Sequence, residues 1–488
     1  MNDGFRGVVF GMKKFGVNFG ISLKSKTMFA PEVYINRRKR LKEAMGSGVL
    51  LFPGNTEAAM NYPANTYPFR QDSNFLYFFG LDMPDLYAMI NVDEDQEIIF
   101  GNDVSMDDVI WMGPQPAMLE RAARVGVSQT MPLKAYPDMI RKAMAKGQKI
   151  HFLPPYRGEA AIQLAELLGK KPAEIKSMAS EALIRAVVAL REVKEEGEIK
   201  EIERAVDISY IMHTTAMKMA KPGVVEREIS GTIEGISLAN GNPVAFPVIL
   251  TINGQTLHNH YHGNTLKEGR FLVVDAGAES PLHYAGDITR STPVGGKFDA
   301  RQREIYQIVL DANMTAIQGV RPGVPNKTLH IKAVTTIAAG LKQLGLMKGD
   351  VEEAVNRGAH ALFMPHGLGH MMGLDVHDME GLGENYVGYD EEIKRSDQFG
   401  LASLRLGKRL KPGFVFTIEP GIYFIPALID QWKAEGKFTE YIDYSKVEAF
   451  RDFGGVRVED DVLVTEDGYQ VLGKPIPKTV DEVEKMAK

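Results

Sequence analysis

No cysteine occurs anywhere in the sequence. Disulfides and thiolate zinc sites are thereby excluded, and any metal ion has to be held by imidazole and carboxylate. The compartment is not fixed by that absence. Long apolar runs are missing as well: none reaches the eighteen or so residues that a membrane-spanning helix needs. There is no excess of positive charge, since 57 Lys and Arg stand against 63 Asp and Glu, for a formal net charge of −6. Nucleic acid and anionic membrane both favour a basic face, so neither is expected as a partner. Low-complexity stretches and short-period tandem repeats are also lacking.

The 488 residues, 44% apolar and 25% charged, have the composition of an ordinary soluble globular protein. They exceed what one core usually fills, so two or more domains are expected. Residues 1–27 carry a basic pair, Lys13 and Lys14, before FGVNFGISL, which is short, broken by Gly and Asn, and lacks a small-residue cleavage pattern. This reads as a disordered leader, or one upstream of a start at Met28, rather than a signal peptide. A cytoplasmic protein is expected.

A first domain, residues 28–179, is expected to be α/β. RRKRLKEAM reads as a helix, GVLLF, FLYFFG, YAMINV and EIIFG as short strands, and Tyr136–Lys146 and Glu159–Leu168 as helices. Continuous helical periodicity then runs from Ser180 to Met219 and stops at Lys221-Pro222-Gly223. The second domain, 180–488, is placed from its start. Charges within that run (Lys194, Glu195, Glu196, Glu198, Lys200, Glu201) read as a solvated helix face. Farther on, RFLVVDAG, HYAGDITRSTPV, FVFTIEPG and GGVRVEDDVLVT read as strands, and Ala300–Gln318 and Thr328–Leu344 as helices. Paired strands among helices predict an α+β fold.

Acidic residues in apolar strands carry the chemical signal. A hairpin centred on Pro281 would set Asp275 opposite Asp287, with Cβ atoms roughly 4.5–5.5 Å apart. Facing carboxylates repel and call for a cation or a shared proton. The alternative is an asymmetric turn with one Asp as a turn residue. Glu419 ends the strand in FVFTIEPGIY, and Glu459 shares a strand face with Arg457 and Asp461. Charges amid Val and Ile are seldom buried unless paired or metal-bound. Against that stand an exposed Arg457–Glu459 edge pair and a solvated Glu419 at a strand end. Of eleven histidines, His366, His370 and His377 lie in FMPHGLGHMMGLDVHD, and His258, His260 and His262 in TLHNHYHGN. Clusters in Gly-rich loops favour function, because Gly permits close backbone approach. Four carboxylates and one imidazole form a mainly hard ligand set, suited to Mn²⁺, Co²⁺ or Zn²⁺.

In this order, VVDAG, AGDITR, HGLGH, TIEPGIY and VRVEDD resemble the pita-bread metallopeptidases, the family of methionine aminopeptidase, aminopeptidase P and prolidase. The similarity covers roughly residues 180–475. It implies a pita-bread catalytic domain holding two divalent ions, Mn²⁺ foremost with Co²⁺ or Zn²⁺ as alternatives, on Asp275, Asp287, His370, Glu419 and Glu459. It further implies Glu419 as general base and His366 and His377 as pocket residues assisting the tetrahedral intermediate. Arg457 would brace the site, and His258 would contact substrate, with His260 as its rival. YPFRQDSNFLYFFGLDMPD is similar to the N-terminal domain of aminopeptidase P and prolidase, which narrows the entrance and contributes to dimer contacts. The resemblance therefore implies a homodimer acting on short peptides with proline at the second position, as an Xaa-Pro aminopeptidase. The alternative is an Xaa-Pro dipeptidase whose Arg405 binds the dipeptide carboxylate. A non-catalytic binding protein on the same fold is a further alternative, disfavoured by the intact ligand set.

Overall fold

The computed structural model describes residues 28–488, and the expected leader 1–27 lies outside them. The described residues divide into two compact units, one running to Glu192 with Met379–Val387 added, the other of Val193–Asp378 with Gly388–Lys488. None of the described helices is long and apolar enough to cross a membrane.

The smaller unit is built on a five-stranded sheet ordered β4-β3-β2-β1-β5: β1 (Val49–Pro53), β2 (Tyr87–Asn91), β3 (Gln96–Phe100), β4 (Gln129–Met131) and β5 (Ile150–Phe152). The β1–β2 and β2–β3 pairs are antiparallel, and β1–β5 and β3–β4 are parallel. Helices Tyr136–Ala145 and Gly158–Leu168 pack Ile140, Leu164 and Leu167 against Val49, Leu51, Met89 and Ile98. FLYFFG is a helix, not the expected strand: it forms the C-terminal part of Ser73–Phe79. Asp72 caps it by accepting from Phe75 N, and Gly80 ends it at φ 62. Its aromatic run is buried all round, so no periodicity betrays the helix.

The expected single helical run from Ser180 is two helices, Glu181–Arg191 and Glu196–Met219. The break has a local cause: Glu195 and Glu198 form a capping box that starts a new helix. Nor are all the charges there solvated. Lys194 and Glu198 are buried, Lys194 in an ion pair with Asp378 at 2.8 Å, and Glu198 accepting from the Tyr284 hydroxyl at 3.1 Å.

The larger unit interleaves helices Glu196–Met219, Glu226–Asn240, Ala300–Gln318 and Asn326–Gln343 with three small sheets. Their orders are β6-β7-β8, β13-β12-β9 and β10-β11. The strands are β6 (Ile249–Thr251), β7 (Phe271–Asp275), β8 (Thr289–Pro293), β9 (Val415–Ile418), β10 (Gly421–Tyr423), β11 (Gly455–Arg457), β12 (Asp460–Val464) and β13 (Tyr469–Val471). Leu272 and Val274 of β7 join Ile208, Met212, Ile229 and Ile233 in the core beneath the helices. Strand alternation then turns Phe271, Val273 and Asp275 to the opposite face. That places a carboxylate at the end of a fully buried strand.

Candidate metal centre

Strand β8 starts only at Thr289, and β7 pairs with it through Asp275↔Thr289. The hairpin is therefore centred on Leu282 rather than Pro281. Its tip is a three-residue loop in which His283 takes φ 66, with Ser280 N donating to Tyr284 O. Asp287 lies two residues before Thr289, so the two Asp residues are diagonal neighbours instead of an opposed pair.

The opposed carboxylates are a different pair. GGVRVEDDVLVT is not one strand but two, β11 and β12, which pair with β10 and β9 respectively. The partners Ile418↔Asp460 and Gly421↔Arg457 have the same register, since 418 + 460 and 421 + 457 agree. On that register Glu419 faces Glu459 across the gap between the two sheets. Like charges so placed repel. On the other side of β9, the segment carrying His370 runs as an added strand: Thr417 N donates to His370 O and Glu419 N to Leu368 O. Only glycine fits between, because a Cβ on Gly369 would stand 1.9 Å from Thr417 O.

Hydrogen bonds tie these strands to the hairpin. Glu459 N donates to Thr289 O at 3.1 Å, and Asp287 N to Asp461 Oδ2 at 2.9 Å. Thr289 Oγ1 donates to Glu459 Oε2 at 2.6 Å while accepting from Arg457 Nε at 3.0 Å. Arg457 also donates to Asp275 Oδ2 at 2.6 Å and to the Tyr423 hydroxyl at 2.8 Å. Arg457 and Glu459 are thus buried and bridged through Thr289, which removes the exposed edge-pair alternative.

Asp275 Oδ1, Asp287 Oδ1 and Asp461 Oδ1 are buried with no hydrogen-bond donor. Burial, then the neighbouring charges Glu459, Asp275, Asp461 and Glu419, push Asp287 well above the usual carboxylate range. Burial and Glu419 do the same to Glu459, and burial carries Glu419 up to about 7. His370 is driven well below its ordinary value by burial and by His377. Its Nδ1 bonds Met371 O at 3.1 Å, which leaves Nε2 as a lone pair 3.4 Å from Asp287 Oδ2. One donor atom each from Asp287, His370 and Glu459 falls within 4.8 Å of the others. Orphaned anionic oxygens and a neutral imidazole in one buried cluster fit a divalent cation.

The cluster opens into a cavity of about 670 Å³, also lined by His258, His260, His366, His377 and Arg405. Glu419 retains 20% side-chain exposure toward it, so it is neither fully solvated nor sealed. His366 Nε2 meets the Tyr423 hydroxyl at 2.9 Å and Nδ1 meets Gly367 O at 2.8 Å. Because Arg457 can only donate to Tyr423, that hydroxyl turns its proton to His366 Nε2. His366 then carries its own proton on Nδ1. His262, by contrast, bonds Val248 O at 3.1 Å and is not among the cavity-lining residues. Sequence reasoning missed Thr289 and Tyr423. Their only signal is a hydroxyl at a buried strand position within two residues of an expected ligand, or beside its Pro-Gly turn.

A model of metallopeptidase family M24 matches residues 200–466, and a model of the aminopeptidase P N-terminal domain matches residues 34–151. The chain belongs to metallopeptidase family M24 and is an enzyme of its aminopeptidase P branch. It is 32% identical over 469 residues to a probable Xaa-Pro aminopeptidase PEPP of Uncinocarpus reesii, covering 92% of this chain and 93% of the relative. It is 33% identical over 432 residues to a probable Xaa-Pro aminopeptidase pepP of Aspergillus fumigatus, covering 86% and 88%. Among solved structures, aminopeptidase PepP of Pseudomonas aeruginosa matches with a TM-score of 0.79 at 26% identity, covering 95% of this chain and 99% of that one. Zn-substituted aminopeptidase P of E. coli in complex with product matches at 0.76 and 27% identity, covering 94% and 98%.

Proposed function

We propose that this protein is an Xaa-Pro aminopeptidase, hydrolysing the bond between an N-terminal residue and a following proline. The observation that carries the proposal is the cluster of buried, donor-less carboxylate oxygens at the wall of a histidine-lined cavity. Asp275, Asp287, His370, Glu419 and Glu459 would hold two divalent ions, Mn²⁺ in first place and Co²⁺ or Zn²⁺ next. When bound, such ions polarise a carbonyl and make a water nucleophilic at neutral pH.

The chain's own residues do the rest. Glu419, at the cluster and partly open to the cavity, would take a proton from water and return it to the leaving prolyl nitrogen. Arg457 donates to Asp275 and to Tyr423 and so orients both. His366 has both ring nitrogens engaged and serves as a fixed wall. His258 and His377 supply donors for the developing oxyanion. Phe246, Pro247, Ile249 and Val376 add apolar wall suited to a pyrrolidine ring. A homodimer is the assembly we propose.

The runner-up is an Xaa-Pro dipeptidase. Arg405 favours it, because a guanidinium in the cavity suits a dipeptide carboxylate. Hydrolysis of Xaa-Pro-Yaa tripeptides against Xaa-Pro dipeptides, with Mn²⁺ and with chelator, separates the two. Tripeptide cleavage at comparable or better efficiency is expected. Dipeptide cleavage alone, lost in Arg405→Ala, would make the enzyme a dipeptidase.

A further inference from the structure

Behind Glu419 and Glu459 lies a buried polar layer that the chemistry above does not use. Strand β9 and the residues before β12 share one register, but their ladder lapses where the chain passes to β10 and β11. Val458 N still donates to Pro420 O at 3.3 Å. The reciprocal bond is impossible, because proline has no N–H to give to Val458 O. Asn313, fully buried in helix Ala300–Gln318, supplies it: its Nδ2 donates to Val458 O at 3.3 Å and to Ile418 O at 3.1 Å. Those two carbonyls belong to the residues immediately before Glu459 and Glu419.

The amide is held in that orientation. Lys478 Nζ donates to Asn313 Oδ1 at 2.9 Å and to Asp460 Oδ2 at 2.7 Å. An ammonium only donates and a carbonyl only accepts, so the Asn313 oxygen must face Lys478 and its N–H groups must face the strands. Arg290 closes the layer, donating to Asp460 Oδ1 at 2.7 Å, to Glu459 O at 2.6 Å and to Ile476 O at 3.1 Å.

We infer that Asn313 is a positioning residue for the metal centre: one side-chain amide, oriented by Lys478, replaces the bond Pro420 cannot make and fixes the spacing of Glu419 and Glu459. The segment Ile476–Lys478, remote in sequence, thereby becomes part of the site. The inference rests on the proposed reading of those two carboxylates as metal ligands.

Metal-free protein made by chelation would be titrated with Mn²⁺, following free Mn²⁺ by electron paramagnetic resonance. Wild type, Asn313→Asp and Lys478→Met would be compared. Asn313→Asp keeps the shape and the oxygen facing Lys478 but turns a second acceptor toward two carbonyls. It should weaken Mn²⁺ binding by about 10- to 100-fold, the usual effect of losing an outer partner of a ligand. Lys478→Met, at a side chain 18% exposed, should weaken it in the same direction by a smaller factor. In both, activity should recover at saturating Mn²⁺, which a merely structural lesion would not allow. Wild-type Mn²⁺ affinity in the folded variants would overturn the inference, and Lys478→Met decides alone if Asn313→Asp does not fold. A wild-type protein that takes up no Mn²⁺ would instead overturn the metal reading beneath it.

Discussion

Both units of the chain bury full charges, and they treat them in opposite ways. In the smaller unit two buried arginines are fully used. Arg38 donates to Glu97 at 2.7 Å, to Phe78 O at 2.8 Å and to Val125 O at 3.0 Å, while Arg37 lies 3.9 Å over the Tyr77 ring. The larger unit also buries paired cations, Lys194, Arg290 and Arg457, but three of its buried aspartate oxygens have no donor. A guanidinium spent on carbonyls ties helix to loop and needs nothing more. Carboxylates left without donors destabilise the fold that contains them, and persist only if something outside the chain completes them. The arginines serve the scaffold here, and the aspartates without donors mark the site.

The largest expected break in that contrast is chemical. Glu419→Gln keeps size and shape but cannot carry the proton, and turnover should fall by about 10³-fold with the fold retained. Near-normal kcat would remove Glu419 as the base. Next comes the scaffold. Arg38→Met should cost about 3 kcal/mol in denaturant unfolding, because it strands buried carbonyls and leaves Glu97 with Lys42 as its ion-pair partner. Mn²⁺ affinity should not move. A variant as stable as wild type would mean that the buried arginine is not structural.

Asp287→Asn should have a smaller effect, and its sign should depend on metal. It removes one of the mutually repelling charges, so metal-free protein should gain about 2 kcal/mol while the metal-loaded form loses affinity. Metal content per chain by elemental analysis and paired melting curves would show it. A full complement of ions, or destabilisation in both states, would show that Asp287 is no ligand.

Such reasoning reaches as far as residues that announce their chemistry. Asp275, Asp287, His370, Glu419 and Glu459 are charged or metal-competent groups in apolar or glycine-rich surroundings, and the structure gathers them in one place. Thr289, Tyr423 and Asn313 carry no such sign, because a neutral side chain in a buried element looks like packing until its partners are known. The pairing error at Pro281 came from centring the turn one residue early; the tip, with left-handed His283, is centred on Leu282. Opposed carboxylates do occur, at Glu419 and Glu459, whose pairing spans two sheets and 39 residues of intervening chain. FLYFF was misread because an aromatic run buried on every side has no face.

The smallest expected effect is the pH dependence of stabilisation by Mn²⁺. Glu419 is raised to about 7, chiefly by burial, and Asp287 and Glu459 are raised farther. Carboxylates raised in the fold favour folding fully below their unfolded values near 4, and that contribution fades as pH climbs through the folded values. His330 and His360, lowered by burial to about 3 and about 4, work the other way: their contribution is present above about 6.5 and is lost on acidification. Raw stability therefore mixes two opposed slopes. Subtracting metal-free from Mn²⁺-loaded unfolding energies cancels the two histidines, which are not among the ligands. The remaining difference should grow by about 1 kcal/mol per pH unit between pH 4.5 and 7. A flat difference would mean that the ion does not sit among these carboxylates, and the contrast between the two kinds of buried charge would lose its chemical meaning.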